Sequence, residues 1–444
     1  MHRNILPAVT AAFVSLLSLP ISAQTQSYKF DFGPGKVEKG YTQVLPETRY
    51  TKELGYGFYG NAKISAVDRA GKQALKRDFC TSDQPFYFTV DVPEGNYEVT
   101  VTFGDPAGTS NQTVRAESRR LMLPSVVTQK GEMVQKTFTV NVRYPEISAT
   151  EKVRLKPREL GYLNWDHQLT LEFNGTEPKI SALEIAKNDK AATVFLAGNS
   201  TVVDQDREPW AAWGQMIPAF FQSGKVAVAN HAESGEALKS FLSEKRLDKI
   251  LSLMKKGDYL FIEFAHNDQK PGSAHVEPFT TYKEALKTYI NGARQKGGIP
   301  VLVTSMHRRN FDSTGHIVNT LGDYPEAMRQ TAKEEGVALI DLNAMSKVLY
   351  EAWGVEPSLK AFVHYPANTF PGQDKEIKDN THFSTYGAYE IARCIAEGIR
   401  KSDLDLAKYL KADIPAFDPA KPDPIENWNW PLSPMMSAIK PDGN

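Results

Sequence analysis

Hydrophobic and polar positions follow two different rhythms along the chain. Between residues 86 and 186 short segments alternate or run with β-branched and aromatic side chains: FYFTVDV (86–92), YEVTVTFG (97–104), KTFTVNV (136–142), HQLTLEF (167–173) and ISALEIA (180–186). Turn formers such as Pro93-Glu94-Gly95-Asn96 and Asn174-Gly175 separate them. Half-buried strands closed by such turns predict an all-β sandwich over residues 25–187. From residue 191 the runs become short and almost continuously apolar: VFLAG (194–198), VAVAN (226–230), YLFIEF (259–264), PVLVTS (300–305) and VALIDL (337–342). Strands buried on both faces read this way, so a parallel sheet wrapped by helices is expected over residues 191–400.

Helix-length amphipathic segments lie between these runs, at Trp210 to Phe221 and Thr281 to Gln295, with a last helix from Tyr386 to Arg400. In that last helix Ile391, Ile395 and Ile399 share one stripe. Residues 401–444 turn Pro-rich and irregular around Asn427-Trp428-Asn429-Trp430-Pro431, and are expected to pack as a tail over the surface. No segment repeats another.

Composition changes this picture only at the margins. The chain has 444 residues, 41% of them hydrophobic, which suffices for two cores. A net charge of −1 gives no global field for nucleic acid or an anionic membrane. His2-Arg3, the apolar stretch Ile5 to Leu19 and Ala23 before Gln24 read as a signal peptide over residues 1–23, so a periplasmic or secreted protein is expected. That apolar stretch is short for a bilayer span, and membrane insertion is not expected. Cys80 and Cys394 fall in different domains and read as two buried thiols; their number excludes a cysteine metal site.

The strand ends carry the candidate chemistry, because open parallel sheets bind ligands at their carboxyl edge. The first run of the second region ends in Gly198-Asn199-Ser200, the second in Asn230-His231-Ala232-Glu233-Ser234-Gly235, and the third in Ala265-His266-Asn267-Asp268. A later loop, Asp379-Asn380-Thr381-His382-Phe383, precedes the last helix. Acyl transfer needs a serine, a base to take its proton and a carboxylate to orient that base; Ser200, His382 and Asp379 supply them. The Ser200 amide, the Gly235 amide and the Asn267 side chain would form an oxyanion hole. Each piece has a plainer reading. Asp-x-x-His can be a cap beside a surface histidine, Asn267-Asp268 a turn, and Gly235 a helix start. Their order and strand-end placement favour the catalytic reading.

In these four blocks the chain resembles the SGNH or GDSL hydrolases, over residues 193 to 400. The resemblance implies a flavodoxin-like three-layer α/β/α fold with Ser200, Asp379 and His382 as triad and no metal or other cofactor. The segment HRRNFDSTGHIVNTLGDYPEAMRQ (307–330), with FAHND and DNTHFSTYGA, resembles the rhamnogalacturonan acetylesterase branch of that family. FDFGPGKVEKGYTQV and LTLEFNGTEPKISALEI resemble galactose-binding-like sandwich modules. Tyr41, Tyr56, Tyr59 and Trp165 there could stack on sugar or simply fill the core.

The expected activity is therefore removal of O-acetyl groups from pectin, with an acetylated polysaccharide as partner. Other acetylated glycans, xylan or a sialoglycan, are the nearest alternative; a glycan-binding protein with a degenerate esterase domain is the alternative of another class. His266, His307, Arg308 and Arg309 are expected to face substrate, since an arginine fork suits the carboxylate of a galacturonate. Two positions depart from the family pattern: Asn199 stands where Asp is usual, and Ala265 where Gly is usual. Gly235 is followed by Glu236-Ala237, which bears on the substrate subsite.

Overall fold

The computed structural model describes residues 27–442; the signal segment read at residues 1–23 lies outside the described residues. The first domain is a two-sheet sandwich. One sheet runs in the order Met133–Val142, Gly95–Gly104, Lys179–Lys187, Ser27–Phe32, Thr42–Val44, with Asp78–Thr81 and Ser65–Asp68 attached. The other runs Tyr56–Tyr59, Phe86–Asp91, Gln168–Glu177, Ser110–Ala116, Arg120–Thr128. Alternation of side chains sends Phe86, Phe88 and Val90 inward against Val99, Val101 and Phe103 of the facing sheet.

The second domain is built on five parallel strands ordered Val226–Asn230, Ala192–Gly198, Tyr259–Glu263, Ile299–Val303, Ala338–Ile340. In chain order this is 2-1-3-4-5, the flavodoxin-like arrangement whose switch point falls beside the first strand. The period of two divides that first strand between two cores. Val194 and Leu196 join one core with the helices Leu342–Trp353 and Thr385–Lys401. Phe195 and Ala197 join the other with Arg246–Leu253 and Lys283–Gln295. Three layers follow.

The helix Thr385–Lys401 starts where the Ser384 side chain accepts from the Gly387 amide at 3.3 Å. A Cβ at position 387 would lie 1.9 Å from the Ala361 carbonyl oxygen, so only glycine lets this helix settle behind the strand Ile377–Phe383. Among the described residues no helix is long and apolar enough to cross a membrane.

Two expectations need correction. The segment Trp210 to Phe221 forms only a short turn of helix, Trp213–Met216, followed by a tighter turn, Ile217–Phe220. Pro218 interrupts it, removing an amide that a longer helix needs. Asp379 and His382 lie in a strand, Ile377–Phe383, paired with Phe362–Tyr365, rather than in a loop.

Charged side chains bind the two domains together. Arg119 of the sandwich meets Glu208 at 2.5 Å and donates to the Trp210 carbonyl at 2.9 Å. Arg120 meets Asp204 at 2.9 Å, and Arg246 meets Glu159 at 2.5 Å; all six of these side chains are essentially buried. The tail adds a third strand to the seam. Arg115 donates to the Ser433 hydroxyl at 2.7 Å and lies 3.8 Å over the Trp430 ring, while Trp430 donates to Glu208. Cys80 and Cys394 are free and buried, one in each domain.

Candidate active site

The carboxyl edge of the parallel sheet gathers the expected residues. Ser200 follows the strand Ala192–Gly198, and its hydroxyl lies 2.8 Å from His382 Nε2. His382 Nδ1 lies 2.8 Å from Asp379 Oδ2. Asp379 reaches across its own turn, its other oxygen accepting from the Thr381 amide at 2.7 Å and the His382 amide at 2.9 Å. Burial would push this carboxyl up, but the hydrogen bonds from His382 and the two amides win and hold it below the usual carboxylate range. Asp379 therefore stays ionised and can fix both the tautomer and the direction of the imidazole. The Trp210 ring stands edge-on to His382 at 5.6 Å between centroids.

Gly235 has φ +84, a left-handed conformation that costs glycine nothing. Its loop is held from three sides. Asn267 Nδ2 donates to the Glu236 carbonyl at 2.9 Å. Lys156 Nζ and Arg158 Nη2, both from the sandwich domain, donate to the Ser234 carbonyl at 2.8 and 2.7 Å. Arg158 also grips Glu233 at 3.0 and 2.8 Å. Among the described residues neither the Ser200 amide nor the Gly235 amide donates within the chain, so both remain available to a ligand.

Beneath Ser200 lies a buried relay. Thr201 donates from its amide to Asn199 Oδ1 at 3.0 Å, and its hydroxyl sits 2.9 Å from the same oxygen. That hydroxyl is 3.2 Å from Glu263 Oε1, while Trp213 donates to Glu263 Oε2 at 2.8 Å. Burial pushes the Glu263 carboxyl up to about 7, against the hydrogen bonds from Trp213 and Thr201. Asn199 Nδ2 finds no partner among the described residues.

Of the four residues expected to face substrate, His266, His307 and Arg309 are buried, as Ser200, Asp379 and His382 themselves are. His266 is buried, its Nε2 facing the Met306 carbonyl at 3.0 Å, and burial holds its pKa well below the ordinary value. His307 is 5% exposed and burial pushes it down to about 4. Arg309 donates to Ser358 at 2.8 Å and to Asn380 at 3.3 Å, and also to the Val355 carbonyl, so it braces two loops. Arg308 alone is half-buried beside the triad, drawn toward Asp379 and 3.2 Å from the Thr320 hydroxyl.

Other residues at the site carried no readable motif. A hollow of about 410 Å³ next to the triad is lined by Arg158 and Tyr162 of the sandwich, Gln205 and Trp210, and Ser437 and Lys440 of the tail. Gln205 donates to the Ser200 carbonyl at 2.9 Å, and Lys440 Nζ lies 3.3 Å from Asp379 Oδ2. Trp165 is no sugar platform: it is 8% exposed, with Arg143 4.4 Å over its ring. Tyr41 donates to Glu184 at 2.7 Å, whereas Tyr59 is exposed.

A catalytic-edge serine, histidine and aspartate on a 2-1-3-4-5 parallel sheet are the marks of an ester hydrolase class, and comparison agrees. Residues 196–387 match the GDSL-like lipase/acylhydrolase family, and residues 28–144 match the β-agarase/YXIM esterase-like, galactose-binding domain-like family. The chain belongs to the GDSL-like lipase/acylhydrolase family.

Among individual proteins, it is 47% identical over 223 residues to the rhamnogalacturonan acetylesterase RhgT of Bacillus subtilis, a match covering 50% of this chain and 95% of that one. It is 37% identical over 221 residues to the probable rhamnogalacturonan acetylesterase YesY of the same organism, covering 49% and 96%. The crystal structure of YxiM from Bacillus subtilis, at 28% identity, covers 85% of this chain and 98% of its own with a TM-score of 0.45.

Proposed function

We propose that this protein is a carbohydrate acetylesterase that removes O-acetyl groups from rhamnogalacturonan-type pectin, acting outside the cytoplasm. The observation that carries the catalytic part is the line Ser200–His382–Asp379, with both hydrogen bonds at 2.8 Å. Ser200 Oγ attacks the acetyl carbonyl while His382 Nε2 takes its proton. The tetrahedral oxyanion is received by the Ser200 and Gly235 amides and the Asn267 side chain. His382 then returns the proton to the departing sugar oxygen, leaving an acetyl-enzyme. A water molecule, deprotonated by His382, attacks that ester and releases acetate and Ser200. Asp379 stays ionised throughout and stabilises the imidazolium. The substrate class rests on the kinship to rhamnogalacturonan acetylesterases over the catalytic half.

Acetate release from acetylated rhamnogalacturonan, homogalacturonan, xylan and sialosides tests both parts. The proposal expects the first to be turned over with the highest kcat/KM, and expects Ser200→Ala to abolish release from every substrate without altering the fold. Faster turnover of acetylated xylan would replace the substrate assignment, and a fully active Ser200→Ala protein would remove the mechanism.

A further inference from the structure

The sandwich domain carries a groove that the acetyl chemistry does not use. It consists of three hollows of about 420, 670 and 570 Å³. The first two share Lys72, Gln73 and Lys76, and the second and third share Lys39, so they lie side by side along one track of the surface.

Charge sets this track apart. Lys36, Lys39, Lys72 and Lys76 all line the central hollow and all are exposed. None of the four has an ion-pair partner among the described residues, although the chain as a whole has a net charge of −1. Cations elsewhere in the track are already neutralised: Arg77 is held by Asp68 at 3.0 and 2.5 Å, and Lys29 by Glu184 at 3.2 Å. Glu38 is the one carboxylate lining the central hollow.

Both banks are fixed. The loop bearing Lys36 and Lys39 is pinned where the Gly35 amide donates to Asp78 at 2.6 Å and the Glu38 amide to Asp31 at 2.8 Å. The opposite bank, the turn Ala74–Arg77, is tied down through the Arg77–Asp68 pair. Burial pushes Asp78 up to about 6, which weakens its charge beneath the groove at mildly acidic pH.

We infer that this lysine-lined groove is a binding site for an acidic polysaccharide, a chain of uronate residues, separate from the acetyl-hydrolysing centre. An open track with flexible ammonium groups suits a repeating row of exposed carboxylates better than a single buried head group. The central hollow has no aromatic ring to stack on a neutral sugar, so its affinity is electrostatic. The choice of a uronate chain over other polyanions rests on the carbohydrate reading of the catalytic half.

The test uses the full chain and deacetylated polygalacturonate, which offers no ester to Ser200. Titration calorimetry compares the parent with a Lys36→Gln/Lys39→Gln/Lys72→Gln/Lys76→Gln variant, with neutral galactan and duplex DNA as further probes. The variant should bind polygalacturonate about tenfold or more weakly, and its binding should depend less steeply on salt. Turnover of a small acetyl ester should be unchanged, which also confirms that the variant is folded. A second variant, Lys72→Glu/Lys76→Glu, changes the charge by the same amount with two substitutions and should weaken binding comparably. Equal polygalacturonate affinity in parent and variants overturns the site. Parent binding to galactan as tight as to polygalacturonate, or tighter to DNA, overturns the ligand. Failure of the esterase proposal would appear instead as lost acetate release with polygalacturonate binding intact.

Discussion

Replacing Glu263 by glutamine makes the buried relay under Ser200 measurable. The Glu263 carboxyl sits at about 7 instead of 4.5 because burial disfavours its charge. Its folded pKa is raised, so the native state binds this proton more tightly than the unfolded chain does. The associated stability is fully present below about pH 4.5 and is lost as pH rises through 7. At about 1.4 kcal/mol per pKa unit, the full loss is roughly 3 kcal/mol. The geometry suits a protonated acid: Trp213 donates to one oxygen, and the other can donate to the Thr201 hydroxyl, which in turn donates to Asn199. A glutamine with its nitrogen toward Thr201 keeps the same direction of donation and cannot ionise. In denaturant titrations, parent and Glu263→Gln proteins should therefore be equally stable at pH 5. At pH 8.5 the variant should be more stable by roughly 2–3 kcal/mol. Parallel pH dependence in the two proteins would refute the reasoning. A variant destabilised equally at both pH values would show that the carboxyl accepts from all its neighbours, as an anion.

Asn267→Ala should lower kcat by roughly 10²–10³-fold with little change in KM, the scale for losing one oxyanion donor; a change confined to KM would move Asn267 into substrate binding. Arg308→Ala should raise KM for acetylated pectin several-fold and spare a small neutral acetyl ester. Arg309→Ala should instead cost about 2 kcal/mol of stability, because it removes the guanidinium that donates to the Ser358 hydroxyl, to Asn380 and to the Val355 carbonyl, leaving that carbonyl only its bond from Ser358; both effects are read by steady-state kinetics and denaturant melts. Arg158→Ala should reduce kcat on the small ester by loosening the loop that holds Gly235. The defect should deepen between pH 6 and 8.5, since burial holds Glu233 well above the usual carboxylate range and its charge needs Arg158 most when ionised; a pH-independent defect would refute that link.

What could be read from the chain depended on how local the cause was. The buried strands and the Ser200, Asn267 and Asp379-x-x-His382 positions were legible because each is a short run whose chemistry is visible within a few residues. Pro218 already contradicts an unbroken helix from Trp210 to Phe221, which amphipathic spacing alone does not register. Glu263 was passed over within the run YLFIEF, although a carboxylate inside an apolar strand was a signal that could have marked it. Lys156, Arg158 and Lys440 gave no such signal. They come from the far domain and the tail, and only the folded seam brings them to the Gly235 loop and to Asp379. Which way each of the adjacent arginines 308 and 309 points is set by distant partners, Thr320 for one and Ser358 with Asn380 for the other, which leave no local signal.

The seam of Arg119–Glu208, Arg120–Asp204 and Arg246–Glu159 bears on how this protein can be cut and recombined. Expressed alone, the hydrolase half would keep Glu208, Asp204, Arg246 and part of the Gly235 support, while Arg119, Arg120 and Glu159 would leave with the sandwich. Those acids sit where solvent would then flood in, beside the very turn that carries Gln205 and Trp210. A working single-domain version would need these positions rewritten together, as neutral or self-paired residues, before the cut is made. Swapping either domain of this protein is thus an edit to a shared salt-linked joint.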